Sequence, residues 1–248
     1  MYIKPISKID EKTIEQEWDT IADFRDQIIK NGEDISLLDI TEPFIMECLG
    51  SITASSVLDC GCGTGHLSFL ISKKLDKYVT GIDISGKSIE RAKKNYQETT
   101  KLRFIKSSIC SYSKYNNKYD VCIANMVLMD IKDLEENLFA IYNMICENGF
   151  FCFTITHPCF WPIYWNYFEN DWFNYNSEIY IKAPLWIRNK RIGESTHVHR
   201  PLSRYISACI NTGFKIIDIQ ELYPKTTHLE LDYQYNYPRF IGFVLKKG

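Results

Sequence analysis

Val57-Leu58-Asp59-Cys60-Gly61-Cys62-Gly63-Thr64-Gly65-His66 runs an apolar strand into an acidic residue and then into a turn with three glycines at alternate positions. Glycine accepts positive φ and has no Cβ, so a turn built this way brings bare backbone against a ligand. In an open α/β sheet, a turn at the carboxyl end of the first strand lies in the crevice where ligands bind. The dinucleotide fingerprint needs G-x-G-x-x-G or A, and counting from Gly61 and Gly63 puts His66 where the third small residue belongs. The spacing present is G-x-G-x-G. A carboxylate at Asp59 beside that turn suits a cationic ligand better than a pyrophosphate.

Tyr78-Val79-Thr80-Gly81-Ile82-Asp83-Ile84-Ser85 is a second, β-branched strand ending in Asp83, about twenty residues past the turn, where ribose-binding α/β proteins keep an acid. Asp83 also stands at a helix start, with Ser85 as N-cap of a helix from Lys87 to Gln97, and both roles are compatible. The glycine turn resembles motif I of the class I S-adenosylmethionine-dependent methyltransferases. The resemblance implies that Gly61, Gly63 and Gly65 wrap the methionine part of S-adenosylmethionine, with Asp59 near its ammonium and with Asp83 and Ile84 at the ribose.

The wider chain fits that reading. Its 248 residues suffice for one α/β domain with an insertion and are short for two domains. A net charge of -2 gives no basic surface for a phosphate backbone, so no nucleic-acid partner is expected. Nine cysteines form no C-x-x-C pair and several fall in apolar strand patterns, which reads as buried thiols without disulfides or metal. The amino terminus lacks the apolar core of a signal peptide and no apolar run is long enough to span a membrane, so the expected location is cytoplasmic. Nothing in the sequence speaks to oligomeric state.

From Val57 onward strands and helices alternate. Strands are predicted at 56–60, 78–83, 102–106, 119–124 and 149–156, with helices at 66–75, 86–97 and 133–146. A helix begins near Pro201, and strands at 214–221 and 239–246, with no long helix between them, should pair antiparallel. The fold expected is α/β, a Rossmann-like doubly wound seven-stranded sheet, mostly parallel with a reversed last strand, plus an aromatic-rich cap insertion. The resemblance covers residues 55–156 and 201–247. Within one domain, 1–248, it suggests an N-terminal helical lid over about 1–50, a cofactor-binding core over about 51–156, a substrate cap over about 157–200, and a C-terminal helix and hairpin over about 201–248. Residues 11–31 have helical spacing, ended by Asn31-Gly32, and Thr41-Glu42-Pro43 opens a helix closed by Gly50. Trp18 is read as packing on the sheet; the resemblance offers the alternative that Trp18 and Arg25 line the site.

Leu102-Arg103-Phe104-Ile105-Lys106-Ser107-Ser108-Ile109 matches the family's third strand, but Ser108 replaces the usual acid that meets the adenine amino group. A neutral hydroxyl makes the weaker bond, which leaves adenine to the Ile109 backbone and apolar packing. In the fourth-strand segment the resemblance gives Asn125 to the ammonium and Met126 to the adenosyl group. No Asn-Pro-Pro-aromatic tetrapeptide is present, which argues against base flipping. His157 directly follows the fifth strand, either as a general base beside the transferred methyl or as a ring capping the strand end. Aromatic residues crowd 160–175 without a clean period; most should be lid core, with Tyr164, Trp165 and Trp172 chosen as substrate contacts. Arg188, Lys190, Arg191, His197, His199 and Arg200 form a basic run, read as a solvated face or, for His199-Arg200 ahead of a helix, as an anion hook for a small acidic acceptor. The expected activity is methyl transfer to an oxygen or nitrogen of a small molecule. The alternatives are a protein or peptide methyltransferase and a non-catalytic cofactor-binding module.

Overall fold

The structure is a computed structural model that describes residues 3–187, 190–225 and 236–248. Its centre is a seven-stranded sheet. Strands β2 (Ser56–Cys60), β3 (Tyr78–Asp83), β4 (Leu102–Lys106), β5 (Tyr119–Asn125) and β6 (Ile145–Thr156) are parallel, while β10 (Phe240–Lys247) pairs antiparallel with both β6 and β9 (Phe214–Leu222). The order across the sheet is β4-β3-β2-β5-β6-β10-β9, so the last strand in sequence is the reversed one, as the sequence predicts. Chain progress turns round between β2 and β5, and the crevice at such a reversal is where an α/β sheet takes ligands.

Strand burial explains the apolar runs. Val57, Leu58, Val121, Cys122, Ile123, Phe151, Cys152 and Phe153 are fully covered or nearly so, because helices lie on both faces of the parallel strands. Those helices are α2 (Glu42–Ser51), α3 (His66–Lys74), α4 (Gly86–Asn95), α5 (Ile109–Ser113), α6 (Leu134–Met144) and α8 (Leu202–Thr212). Ser85 caps α4 as expected, its Oγ accepting from Ser88 N at 3.0 Å. Gly50 falls inside the last turn of α2 instead of closing it.

The N-terminal helix α1 (Glu11–Lys30) starts at Asp10, whose carboxylate accepts from Thr13 N at 2.8 Å, and stops at Asn31-Gly32 with Gly32 at φ +70°. It does not lie flat on the sheet. A row of carboxylates ties one flank to α4: Asp19 accepts from Ser85 Oγ at 2.6 Å, Asp23 from Arg91 Nε at 2.7 Å and Asp26 from Asn95 Nδ2 at 2.6 Å. On its other flank the buried Glu17 accepts from Thr196 N at 2.7 Å and from Thr196 Oγ1 at 2.9 Å, and pairs with Lys182.

Residues 157–200 contain more order than their sequence suggests. After the short helix α7 (Trp161–Tyr164), strands β7 (Ile179–Ile187) and β8 (Lys190–His199) form an antiparallel hairpin, to which β1 (Lys4–Pro5) adds a third strand. The period-two pattern is masked because the buried residues of β8 include Ser195, Thr196, His197 and His199 as well as Ile192 and Val198.

Candidate active site

Three glycines of the turn adopt the left-handed conformation, with φ of +78° at Gly61, +54° at Gly63 and +86° at Gly65. They are held for two different reasons. A Cβ on Gly61 would stand 2.4 Å from Val127 Cγ2, and one on Gly65 would stand 2.8 Å from Ala92 and Phe104, so both are packing glycines. A Cβ on Gly63 would meet nothing within 4 Å; it would enter the open cavity, and the bare backbone there is a cradle for a ligand. Met126 also has positive φ, +60°, a conformation uncommon for a residue with a side chain, and its N–H donates to Thr154 O at 3.1 Å.

The acids lie where the turn needs them. Asp83 Oδ2 accepts from Gly63 N and Oδ1 from Ser85 N, both at 2.8 Å, so this carboxylate shapes the glycine turn and the start of α4 together. Asp59 is buried and accepts from Ser68 Oγ at 2.5 Å. Burial pushes the Asp59 carboxyl up to about 7, against the Ser68 hydrogen bond and helped by the nearby Asp83. Asp83 is pushed up to about 6, again by burial, against the Ser85 and Gly63 N–H groups. Two carboxyls with raised pKa on one cavity wall form a site prepared for a cation.

The glycine turn and its two acids face one cavity of about 670 Å³, within the range of small-molecule sites. Asp59, Gly61, Gly63, Asp83, Ile84, Ser108, Ile109, Asn125 and Met126 are in its wall, so the structure brings the residues singled out for the cofactor to one place, with Gly65 behind them at the start of α3. Ser108 is also the N-cap of α5, its Oγ accepting from Ser111 N at 3.4 Å. Trp18 and Arg25 of α1 are in the wall as well, which corrects the reading of Trp18 as packed on the sheet. Arg25 pairs there with the buried Asp34.

The residues singled out for catalysis and substrate fare differently. His157 does not reach the cavity. Successive strand residues point to opposite faces, and Thr156 takes the cavity side. His157 is buried on the other face, its Nδ1 accepting from Cys159 N at 3.2 Å, its ring 4.7 Å from Phe160 and its Nε2 3.6 Å from Glu221. Burial holds its pKa below the usual value despite Glu221. It caps the strand end.

Of the cap aromatics, Trp165 lines the cavity, but Tyr164 and Trp172 do not. Tyr164 carries the Arg239 guanidinium 3.6 Å above its ring, and Trp172 stacks on Tyr167 at 5.6 Å. The anion hook is absent too. His199 is buried, with Nε2 3.0 Å from the Tyr175 carbonyl. Arg200 is 1% exposed, and four of its five guanidinium N–H donors go to Glu178 at 2.8 Å and to the carbonyls of Leu128, Ile131 and Lys132 at 3.2, 2.7 and 2.6 Å. A guanidinium buried and bonded in this way is a structural group and not a hook for an anion. Of the rest of the basic run, Arg191 pairs with Glu194 at 2.8 Å, while Arg188 and the side chain of Lys190 lie outside the described residues.

In their place the cavity wall holds Asp130, Trp161 and His197, none of them chosen from the sequence. Asp130 closes the 3-10 turn Leu128–Asp130 just beyond β5, and its Oδ1 is 3.9 Å from His197 Nδ1. His197 sits 5.6 Å from the Trp165 ring and 6.5 Å from that of Trp161. The signal for Asp130 was its place five residues after Asn125, at the same strand end. For His197 there was none, because a histidine inside a basic run reads as surface.

Comparison with known proteins agrees with this architecture. Residues 53–174 match the family model described as a methyltransferase domain. The chain is 36% identical over 87 residues to the ribosomal protein L11 methyltransferase of Ruminiclostridium cellulolyticum, a match covering 34% of this chain and 28% of that one. It is 27% identical over 175 residues to the demethylmenaquinone methyltransferase of Lactococcus lactis, covering 68% of each. The chain thus spans between about a quarter and two thirds of the length of these curated relatives. Its fold overlays that of an S-adenosylmethionine-dependent methyltransferase from Clostridium acetobutylicum with TM-score 0.64 at 19% identity, covering 93% of this chain and 99% of that one. Residues 53–174 thus match a methyltransferase domain, and the fold, with the glycine cradle at the point where the strand order reverses, is the one found in S-adenosylmethionine-dependent methyltransferases.

Proposed function

We propose that the chain transfers the methyl group of S-adenosylmethionine to a small-molecule acceptor in the cytoplasm. One observation carries the reading: a single continuous cavity joins the glycine cradle and its two acids to an aromatic wall made by the cap. The cofactor supplies an electrophilic methyl on a sulfonium. The chain supplies position. Asp59 and Asn125 would hold the ammonium, Asp83 the ribose hydroxyls, Ile84, Ile109 and Met126 the adenosyl group, and Ser108 the adenine edge. Alignment of donor and acceptor in such a site contributes up to about 7 to 11 kcal/mol, so few dedicated catalytic groups are required.

The L11 methyltransferase relative favours a second reading, a protein or peptide acceptor. Against it stands the cap: Trp161, Trp165, Leu185 and Trp186 join α1 in the cavity wall, which suits a small molecule better than an extended chain. Among the described residues no helix is long and apolar enough to cross a membrane. The test is mass spectrometry of a metabolite extract and of a tryptic digest, each incubated with the protein and deuterated-methyl cofactor. A label in small metabolites alone is expected. A label confined to peptides would overturn the small-molecule acceptor, and tight NAD binding without affinity for S-adenosylhomocysteine would overturn the whole reading.

The raised carboxyls give a pH prediction with a definite sign. An acid whose folded pKa is raised keeps a proton that the unfolded chain has already lost. The free protein therefore loses stability as pH rises from the unfolded value of about 4 through about 7. A bound cation needs the charged form, so binding expels that proton below pH 7. Calorimetry should show cofactor affinity falling as pH drops below about 7, approaching tenfold per unit for one linked proton, with proton release that scales with buffer ionisation heat. Affinity constant between about pH 5.5 and 8 would mean that Asp59 does not pair with the ammonium.

A further inference from the structure

We propose that the acceptor is a basic amine, received as its ammonium by the carboxyl of Asp130 in the wall shared with His197, Trp161 and Trp165. The proposal rests on the methyl-transfer reading and specifies its acceptor.

The buried acids of the cavity are all satisfied except one. Asp34 has Arg25, Asp59 has Ser68, and Asp83 has the N–H groups of Gly63 and Ser85. Among the described residues no group donates a hydrogen bond to the Asp130 carboxyl: His197 Nδ1, at 3.9 Å, is beyond that range, and the side chain is only 13% exposed. A carboxyl largely withdrawn from water without a protein donor is poorly satisfied, and a ligand ammonium would supply both donors and charge. Burial, with Glu17 nearby, raises the Asp130 pKa well above the ordinary carboxylate range, and Arg200 opposes this. Arg200 spends its donors on Glu178 and on the carbonyls around Asp130, so it fixes the turn without closing a pair with Asp130.

The surroundings select the same charge. Trp161 and Trp165 stand in the same wall, and indole rings attract cations. His197 is held neutral, its pKa taken down to about 3 by burial, then by His199 and Arg200, so it does not compete as a cation. The basic residues in the cavity wall besides His197 are Arg25 and His66, which are paired, and Lys114 and Lys132, which are exposed. A carboxylate or phosphate acceptor would find neutral N–H groups such as that of Trp161 in the same wall, but no unpaired buried cation. The small acidic acceptor considered from the basic run is therefore the wrong charge for this wall.

Asp130 also has a chemical task. The bound ammonium gives one proton to the Asp130 carboxylate, which burial makes a better base than an ordinary carboxylate. The freed nitrogen lone pair forms the new N–C bond as the C–S bond breaks, and the pair from that bond stays on sulfur as a thioether. The positive charge lost by the sulfonium appears on the methylated ammonium product. His197, beside the carboxyl, acts as a positioning residue.

The test uses the full chain saturated with S-adenosylhomocysteine and two probes of matched shape, 2-phenylethylamine and 3-phenylpropionate, titrated near neutral pH. The amine should bind at least about tenfold more tightly than the carboxylate. Asp130→Asn should bring the two affinities together and Asp130→Glu should retain the preference. Saturable binding of S-adenosylhomocysteine, measured first, tests the cofactor reading separately, and it should persist in both variants. Equal affinity of the wild-type chain for the two probes, or none for either, overturns the proposal without need of a variant. A preference that survives Asp130→Asn in a folded protein overturns it equally.

Discussion

Arg200→Ala is expected to lower the melting temperature by roughly 6 to 20 °C. Glu178 is 32% exposed, so the cost lies mainly in the three carbonyls left without a donor, about 1 kcal/mol or more each and about 3 to 5 kcal/mol together with the lost pair, and each kcal/mol shifts a domain of this size by about 2 to 4 °C. The partner left behind is Glu178, and three carbonyls, those of Leu128, Ile131 and Lys132, lose their donor at once. Because those carbonyls belong to the turn that carries Asp130, the damage should also reach the acceptor end of the cavity. Arg200→Lys should fall between, since an ammonium keeps the charge but not the planar fork of donors. Scanning calorimetry of the three proteins checks this. A melting point for Arg200→Ala within about 2 °C of wild type would mean that the guanidinium is dispensable and free for a ligand after all.

The second large effect belongs to Asp83→Ala, which should weaken S-adenosylhomocysteine binding by about 10- to 150-fold per charged hydrogen bond lost, the equivalent of about 1.5 to 3 kcal/mol. The carboxylate already holds Gly63 N and Ser85 N in the free protein, so its removal takes away the brace of the glycine turn along with the proposed ribose contact. Asp83→Asn retains an acceptor and should lose less. Calorimetry with circular dichroism as the folding control separates the outcomes. A folded Asp83→Ala protein with unchanged affinity would reduce Asp83 to a helix-start residue.

What the sequence made legible was whatever depends on periodicity and local chemistry. The apolar strands and the Ser85 cap follow from residues within a few positions of each other, and the antiparallel pairing of β9 with β10 from two strand patterns with no long helical pattern between them. The glycine-turn end of the cavity was legible for the same reason, since Gly61, Gly63 and Asp83 lie on adjacent strand ends. The aromatic end was not. His157 was placed at the correct edge of the sheet, yet one residue of strand register decides which face a side chain takes, and Thr156 took the cavity. The hairpin of β7 and β8 was hidden because its buried face holds serine, threonine and histidine, which in sequence look like loop. Arg200 looked like a surface cation because its carbonyl partners lie about seventy positions away and carry no side-chain signature.

The two flanks of α1 are fastened by unlike means. Along α4 the links are Asp19, Asp23 and Asp26 with Ser85, Arg91 and Asn95, and the Asp23–Arg91 pair is well exposed. Along β8 the link is the buried Glu17. Dissolved ions screen exposed pairs and leave buried ones nearly untouched. Of the α4 links only Asp23–Arg91 joins two charges, since Ser85 and Asn95 are neutral partners. Dissolved salt therefore reaches one fastening of the helix that carries Trp18 and Arg25 in the cavity wall and leaves the Glu17 fastening intact, so the cavity keeps its α1 wall over a wide range of ionic strength.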